Sequence, residues 1–379
     1  MIPALRSASP YVREDVVYLD HAATGPLTQP SVDAMTAFLD ERSRTNPNNY
    51  ETILPRLEAG RASLAALVGA RTEDVEYVAN TSTGINVLAR GLGWRDGDRV
   101  AVPACEFPAN LLPWKALESR GVTVDLIPSH QGTFTVEAAR DALTPRTRVL
   151  AVSWVQFLSG FRAPLADLAQ LCTEAGVVLA VDAIQGVGGL RLDVGRLGLD
   201  FVSCGGQKWM LGPQGSAFIV ATERVRAQLE PTYGWLNGPI DWDDFGSADL
   251  ALHPDATRFR VGTLATAPLL GLLASVEQFL EFGHDAVEAS VLSASAALAG
   301  RLQSLGFTRW GPESTPQSGI VTVEHEAPEA LHAHLASRGI VCSVRDRKLR
   351  FSPHATTSGD DLARLGAAIE VFAPSVPVG

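Results

Sequence analysis

The run from Val177 to Gly215, VVLAVDAIQGVGGLRLDVGRLGLDFVSCGGQKWMLGPQG, constrains this chain more than any other stretch. It opens on an unbroken apolar run, Val177–Val181, that stops at Asp182, as a strand covered on both faces does. A second short run, Asp200–Cys204, leads through Gly205-Gly206 to Lys208. Strands of this kind belong to the parallel sheet of an α/β fold. The carboxylate and the amine are 208 − 182 = 26 residues apart. Each follows the C-terminal end of a predicted strand, the edge at which open α/β sheets bind ligands. Taken singly, Asp182 would be an ordinary turn residue and Lys208 an ordinary surface charge. Together they describe a site, because Gly205-Gly206 lets backbone approach a ligand closely. Gly212, Pro213 and Gly215 then build a tight turn after the lysine.

An acid and an amine converging at a sheet edge suit pyridoxal phosphate. That cofactor needs an amine for covalent attachment as a Schiff base and a carboxylate to keep its pyridine nitrogen protonated. The segment resembles the core of the pyridoxal-phosphate enzymes of aminotransferase class V, the cysteine desulfurase-like and isopenicillin N epimerase-like branch of fold type I. Their pattern is D-x-x-Q/H, then about two dozen residues, then D-F/Y-x-x-x-S/G-x-H-K and a G-P-x-G turn. Asp182, Gln185, Lys208 and Gly212-Pro213-Gln214-Gly215 carry the match. The resemblance implies that Asp182 pairs with the pyridine nitrogen and that Gln185 approaches the ring hydroxyl. It makes Lys208 both the attachment point and the catalytic base. Two positions depart from the pattern: the frequent serine three residues before the lysine is Gly205, and the histidine just before it is Gln207. Both positions help to bind phosphate in the family, so Gln207 is counted among the cofactor contacts.

Composition closes off other classes of function. The net charge is −11 and no Lys/Arg stripe forms, which argues against nucleic acid or an anionic membrane as partner. The N-terminus, MIPALRSASPYVREDVVYL, lacks the basic region and apolar core of a signal peptide. The most apolar long stretch, Thr263–Leu280, is interrupted by Pro268 and Glu277 and reads as a buried helix, not a membrane span. Cys105, Cys172, Cys204 and Cys342 form no C-x-x-C pair, so neither a disulfide framework nor a metal site is expected, and a reducing cytoplasm is.

The rest of the chain supplies candidates around that centre. Val16–Asp20 enters His21-Ala22-Ala23-Thr24, which resembles the family's L-D-x-A-A-T segment over the substrate side and makes Ala23 a substrate contact. Val75–Ala79 is strand-like, followed by Asn80–Gly84 and a helical Ile85–Leu92; a hydroxyl-rich turn before a helix is suited to an anion. The resemblance makes Thr81 and Ser82 the pair that holds the phosphate. Arg99–Pro103, another buried strand, ends near Phe107, where desulfurases typically carry a histidine that stacks on the ring. A phenyl ring stacks equally well but moves no proton, which shifts acid–base work onto Lys208. Val122–Ile127, Arg148–Val152 and Ser216–Val220 complete a mostly parallel seven-stranded sheet. At Trp154–Gly160 the register leaves Gln156 and Phe157 equal candidates to face the ring.

Beyond the lysine turn, Pro231–Asp249 is long, aromatic and aperiodic, and such loops are usually functional. With Trp235, Trp242 and Phe245 it is expected to face the substrate as a lid or to form a dimer contact, and Trp235 is counted as substrate-binding. Arg258–Thr263 resembles R-F-x-x-G-T, whose threonine reaches the phosphate of the neighbouring subunit. Thr263 therefore implies a homodimer with shared active sites. Arg350-Phe351-Ser352-Pro353-His354 matches the position whose arginine forks onto the substrate α-carboxylate; Arg345 and Arg347 are competitors for that role. The expected division is a large cofactor-binding domain, 14–255, and a smaller α+β domain, 1–13 with 256–379. Its predicted strands are Gly319–Val323, Ile340–Val344 and Leu349–Phe351.

The resemblance runs from Val16 to Val371. A desulfurase needs a reactive cysteine on a mobile loop shortly before the substrate-binding arginine. Ser343–Lys348 has none, and Cys342 sits in an apolar strand context. The expected chemistry is removal of the α-proton of an amino acid by Lys208 and loss of a β-substituent, as in a carbon–sulfur lyase of a biosynthetic pathway. Epimerisation, transamination and decarboxylation-coupled deamination would use the same residues. A noncatalytic binding subunit is the alternative of another class, and the intact Asp182–Lys208 pair argues against it. Gly188-Gly189 and Gly205-Gly206 fall outside the G-x-G-x-x-G fingerprint of a nucleotide-binding fold.

Overall fold

Apolar runs alternating with helical stretches give seven strands in one sheet: β2 (Val75–Val78), β3 (Arg99–Pro103), β4 (Thr123–Ile127), β5 (Thr147–Ser153), β6 (Val178–Asp182), β7 (Phe201–Gly205) and β8 (Ala217–Ala221). The computed structural model describes residues 1–239, 250–312 and 317–372. The strand order is β2-β8-β7-β6-β5-β3-β4, parallel except for β8, which is antiparallel to both neighbours. Strands β6, β7 and β8 are buried at every residue, which is why their sequences run apolar without alternation. One core cluster fills each face. The larger joins Leu150, Val152, Leu179, Val181 and Phe218 to the helices Tyr50–Val68, Leu165–Ala175 and Thr266–Phe282. The other packs Trp114, Ile85 and Leu88 on Val100, Val149 and Ile219.

A smaller unit follows, with β9 (Thr308–Trp310), β10 (Val321–Glu324), β12 (Ser343–Arg345) and β13 (Lys348–Phe351) in one antiparallel sheet of order β12-β13-β10-β9. The expected single strand Ile340–Val344 is two strands. Its first half, β11 (Ile340–Val341), pairs in parallel with β1 (Val17–Tyr18), and its second half turns to β13. Val17 and Leu19 are accordingly buried in the core of the small unit, beside Val321, Ile340 and Phe351. The chain then crosses to the large sheet through His21–Thr24. In the other direction, Thr266–Phe282 packs on the helices Gln29–Arg44 and Tyr50–Val68 of the large unit. The helix expected over Thr222–Glu230 is confined to Glu223–Arg226, because Leu229 turns aside to bridge Leu92. Among the described residues no helix is long and apolar enough to cross a membrane.

Candidate active site

Ser153, Asp182 and Ser203 lie level across β5, β6 and β7, so the residues that follow these strands meet at one edge. A cavity of about 470 Å³ opens there, lined among others by Thr81, Ser82, Phe107, Asp182, Gln185, Gln207, Lys208 and Arg350, with Ala22-Ala23-Thr24 across its mouth. Clefts of about 590 and 770 Å³ lie elsewhere, and neither is lined by a lysine. The smaller cavity is the one that holds an amine facing a carboxylate.

Asp182 is 3% exposed. Burial pushes its carboxyl up to about 6, against the pull of the Ile184 N–H, 3.0 Å away, and of the Lys208 charge. Lys208 moves the opposite way. Burial lowers its amine to about 8, partly offset by Asp182 and reinforced by Arg350. A lysine so held gives up its proton much closer to neutral pH than a free amine does. Its Nζ stands 5.8 Å from the centroid of the Phe107 ring. Gly25 clamps the turn from outside: its N–H donates to the Gln207 carbonyl at 2.8 Å, and a Cβ there would collide with the Lys208 carbonyl.

Across the cavity the helix Thr81–Gly91 begins, capped by Asn80, whose Oδ1 accepts the Thr83 N–H at 2.8 Å. This puts Thr81 and Ser82 in the first turn, where backbone N–H groups point outward. The Thr81 hydroxyl is buried and has no hydrogen-bond partner among the described residues, an arrangement that an anion accepting from it would complete. Gly205 and Gln207 turn out to be one departure from the family pattern. A Cβ at 205 would lie 2.5 Å from Gln207 Oε1 and 3.1 Å from Thr81 Oγ1, so the end of the Gln207 side chain occupies space that the glycine leaves. Amine, facing carboxylate and an anion cradle in one cavity are what pyridoxal phosphate requires of a protein.

The remaining wall is apolar. Phe107 and Phe157 meet edge to face, centroids 5.2 Å apart at 67°. The structure thus resolves the open register: Phe157 lines the cavity and Gln156 is buried behind it. Gln156 Nε2 donates to Glu106 Oε1 at 2.7 Å, and the same carboxylate accepts from Ser153 N–H at 2.7 Å and from Asn110 at 3.2 Å. Glu106 and Gln156 each precede one phenylalanine, so their bond ties the two halves of the aromatic wall. Burial pushes the Glu106 carboxyl up to about 7. Apart from its place beside Phe107, nothing in the sequence marked Glu106.

Arg350 is 2% exposed; it donates to the Phe157 carbonyl at 2.8 Å and approaches Asp20 at 3.5 Å, while its buried Nε has no partner among the described residues. Arg345 also lines the cavity, and Arg347 does not. Two candidates lie apart. Thr263 is exposed in the cleft beside the helix Thr81–Gly91, and Trp235, 48% exposed, is stacked on Tyr50 at 6.4 Å. The two are neighbours, since a Cβ on Gly262 would be 3.4 Å from the Trp235 indole nitrogen. Trp242 and Phe245 of the expected lid lie outside the described residues.

The family model described as Aminotransferase class-V matches residues 17–344. The chain belongs to this family. Class-V members are pyridoxal-phosphate-dependent enzymes, and the cavity has the groups that such an enzyme requires. A probable cysteine desulfurase of Methanothermobacter thermautotrophicus is 32% identical over 275 residues, 71% of this chain and 68% of that one. One from Pseudomonas aeruginosa is 31% identical over 305 residues, 78% and 74% of the two chains. Among solved structures, the cystine C–S lyase C-DES in complex with its product cysteine persulfide superposes with a TM-score of 0.90 at 24% identity, covering 97% of this chain and 100% of that one. The apo cysteine desulfurase of Thermococcus onnurineus gives 0.87 at 23% identity, covering 98% of each. These two superpositions establish the shared fold.

Proposed function

We propose that this class-V enzyme is a carbon–sulfur lyase that eliminates the β-sulfur substituent of an amino acid and does not pass sulfur to a protein thiol. One observation carries the reading. The hairpin β12–β13, whose second strand carries Arg350, closes in a two-residue turn at Asp346-Arg347, and none of the four cysteines lines the cavity. The nearest to that hairpin, Cys342, is buried, and burial pushes its thiol up to about 12, far from a reactive thiolate. The described relatives named as desulfurases supply the substrate class, a sulfur-containing amino acid. The solved relative named as a C–S lyase supports elimination on this fold.

Bound pyridoxal phosphate supplies an electron sink for the α-carbon. In this reading Asp182 keeps the pyridine nitrogen protonated, and the first turn of Thr81–Gly91, with Gln207, receives the phosphate. Arg350, whose Nε has no partner among the described residues, fixes the substrate carboxylate, and Ala23 closes over the substrate. The phenylalanine wall offers no proton shuttle, so Lys208 takes the α-proton. The electron pair of the carbon–sulfur bond leaves with sulfur, which is released as a thiol or persulfide. Water then divides the remaining fragment into pyruvate and ammonia. Thr263 and Trp235, standing together away from Lys208, are assigned to the cavity of a second copy in a homodimer. The free cysteines suit a reducing cytoplasm.

The test is to incubate the cofactor-loaded enzyme with cystine and S-alkyl cysteines and to assay pyruvate and ammonia. Equimolar release of both is expected, and no release from any thioether or disulfide would sink the lyase reading. Lys208→Ala should lose both turnover and the visible absorption of the bound cofactor.

A further inference from the structure

The Gln185 amide is used on two sides. Its nitrogen donates to the Ala22 carbonyl at 3.0 Å, and its oxygen accepts the indole N–H of Trp209 at 2.8 Å. A glutamine amide can ordinarily be turned end for end at little cost. Here it cannot, because an indole N–H only donates and a peptide carbonyl only accepts, so a single orientation satisfies both. Ala22 lines the cavity and Trp209 does not, which puts the nitrogen end of the amide at the cavity wall. One amide hydrogen is committed to Ala22, and the second is left for an acceptor in the cavity.

Trp209 is itself immobile. It is 1% exposed, and its indole lies against glycines: a Cβ on Gly189 would come within 2.8 Å of Cε3, and one on Gly319 would collide with the far edge of the ring. His354 stacks on the indole, centroids 5.6 Å apart, and its Nε2 bonds the Trp209 carbonyl at 3.0 Å. The residue after the catalytic lysine is thus fixed by backbone, ring face and ring edge.

We propose that Trp209 is a positioning residue that locks Gln185 as a one-way donor to the ring oxygen of pyridoxal phosphate beside the Lys208 nitrogen. The proposal rests on the cofactor assignment above and is independent of the lyase reading. A donor on that oxygen competes for the lone pairs that would otherwise hold the proton of the Lys208 nitrogen. The pH at which that nitrogen gives up its proton is therefore held down. Asp182, Arg350, Cys204 and Asp20 are the other groups that act on Lys208, and they are unchanged by substitutions at 185 or 209.

The experiment is a pH titration of the visible band of the cofactor-loaded enzyme in wild type, Trp209→Phe, Gln185→Ala and the double variant, with thermal melting as control. Trp209→Phe keeps the slot filled with a ring and should raise the midpoint by about one pH unit, a tenfold change in proton affinity. Gln185→Ala should raise it at least as far, and the double variant no further than Gln185→Ala alone. An unmoved midpoint in a Trp209→Phe protein that melts near wild type overturns the proposal, as do additive shifts. Should Trp209→Phe not fold, Gln185→Glu answers the question, because an ionised carboxylate still accepts the indole N–H but cannot donate. It should raise the midpoint by more than one unit, and an unchanged midpoint rejects the role. Absence of any visible band in the loaded wild type would instead overturn the cofactor assignment beneath.

Discussion

Gly205 and Gln207 look like two losses when set against the family pattern, and the structure shows that the two positions are in contact. Restoring only one partner should therefore do harm. Gly205→Ser brings a side chain to within 2.5 Å of Gln207 Oε1 and should weaken cofactor affinity several-fold, while Gly205→Ser with Gln207→His should recover it. Equilibrium titration with pyridoxal phosphate measures both. Glu106 gives a pH signature at the same scale. Its folded-state value of about 7 lies above the ordinary 4.5, so the folded chain binds this proton more tightly than the unfolded one. That stabilisation is complete below about 4.5 and lost as pH rises through 7. Urea midpoints of the cofactor-free protein at pH 5 and 8 should show wild type losing about 2–3 kcal/mol relative to Glu106→Gln over that interval. Of the residues around this cavity, Asp182, Lys208, Thr81, Ser82 and Phe107 were legible in the sequence because a strand end or helix start announces its position. Phe157 was one of two equal candidates with Gln156, and Glu106 and Trp209 went unmarked: what distinguishes them is which neighbour they touch, and one-dimensional spacing does not encode that.

At the level of elements, the segment carrying Thr263 is anchored by charge. Glu76 on β2 is fully buried and receives Arg260 at 3.1 and 2.9 Å, and Arg61, on the helix Tyr50–Val68, reaches Asp255 at 2.8 Å and Glu58 at 2.7 Å. Burial pushes Glu76 up, and the two guanidiniums beside it pull it back toward the charged form. Glu76→Ala would leave Arg260 and Arg61 buried opposite no carboxylate at that position. It should cost about 3–5 kcal/mol in a denaturant midpoint, well beyond the loss of a surface pair. Strands of the large sheet were readable to within a residue or two, since burial on both faces leaves unbroken apolar runs such as Val178–Asp182. The small unit was less readable. Ile340–Arg345 exchanges partners at Cys342, from a parallel to an antiparallel neighbour, and Thr308–Trp310, half-buried with an exposed first residue, has too weak a pattern to register as a strand.

Over the whole molecule, Thr263 and Trp235 stand apart from the cavity of their own chain; the resemblance assigns Thr263 to the phosphate of a neighbouring subunit, and the proposed homodimer would bring it there. If one copy's Thr263 serves the other's Lys208, then Lys208→Ala and Thr263→Val, each deficient alone, should regain activity when unfolded and refolded together. The mixed dimer would contain one site with both groups intact. Activity no greater than the sum of the separate proteins would argue for self-contained sites.

The crossing at the N-terminus has a consequence for biosynthesis. Val17 pairs with Ile340, Ala22 N–H donates to Ser352 at 2.9 Å, and the next residues form the rim above Lys208. A ribosome that has finished the entire parallel sheet has therefore still not made the partners that seat this rim. The core of the large unit also draws on Thr266–Phe282, and the rim over the pocket is not seated until Ile340 and Ser352 have been made. Chains cut before Ile340 should therefore load pyridoxal phosphate poorly, which equilibrium titration of such a truncated protein measures.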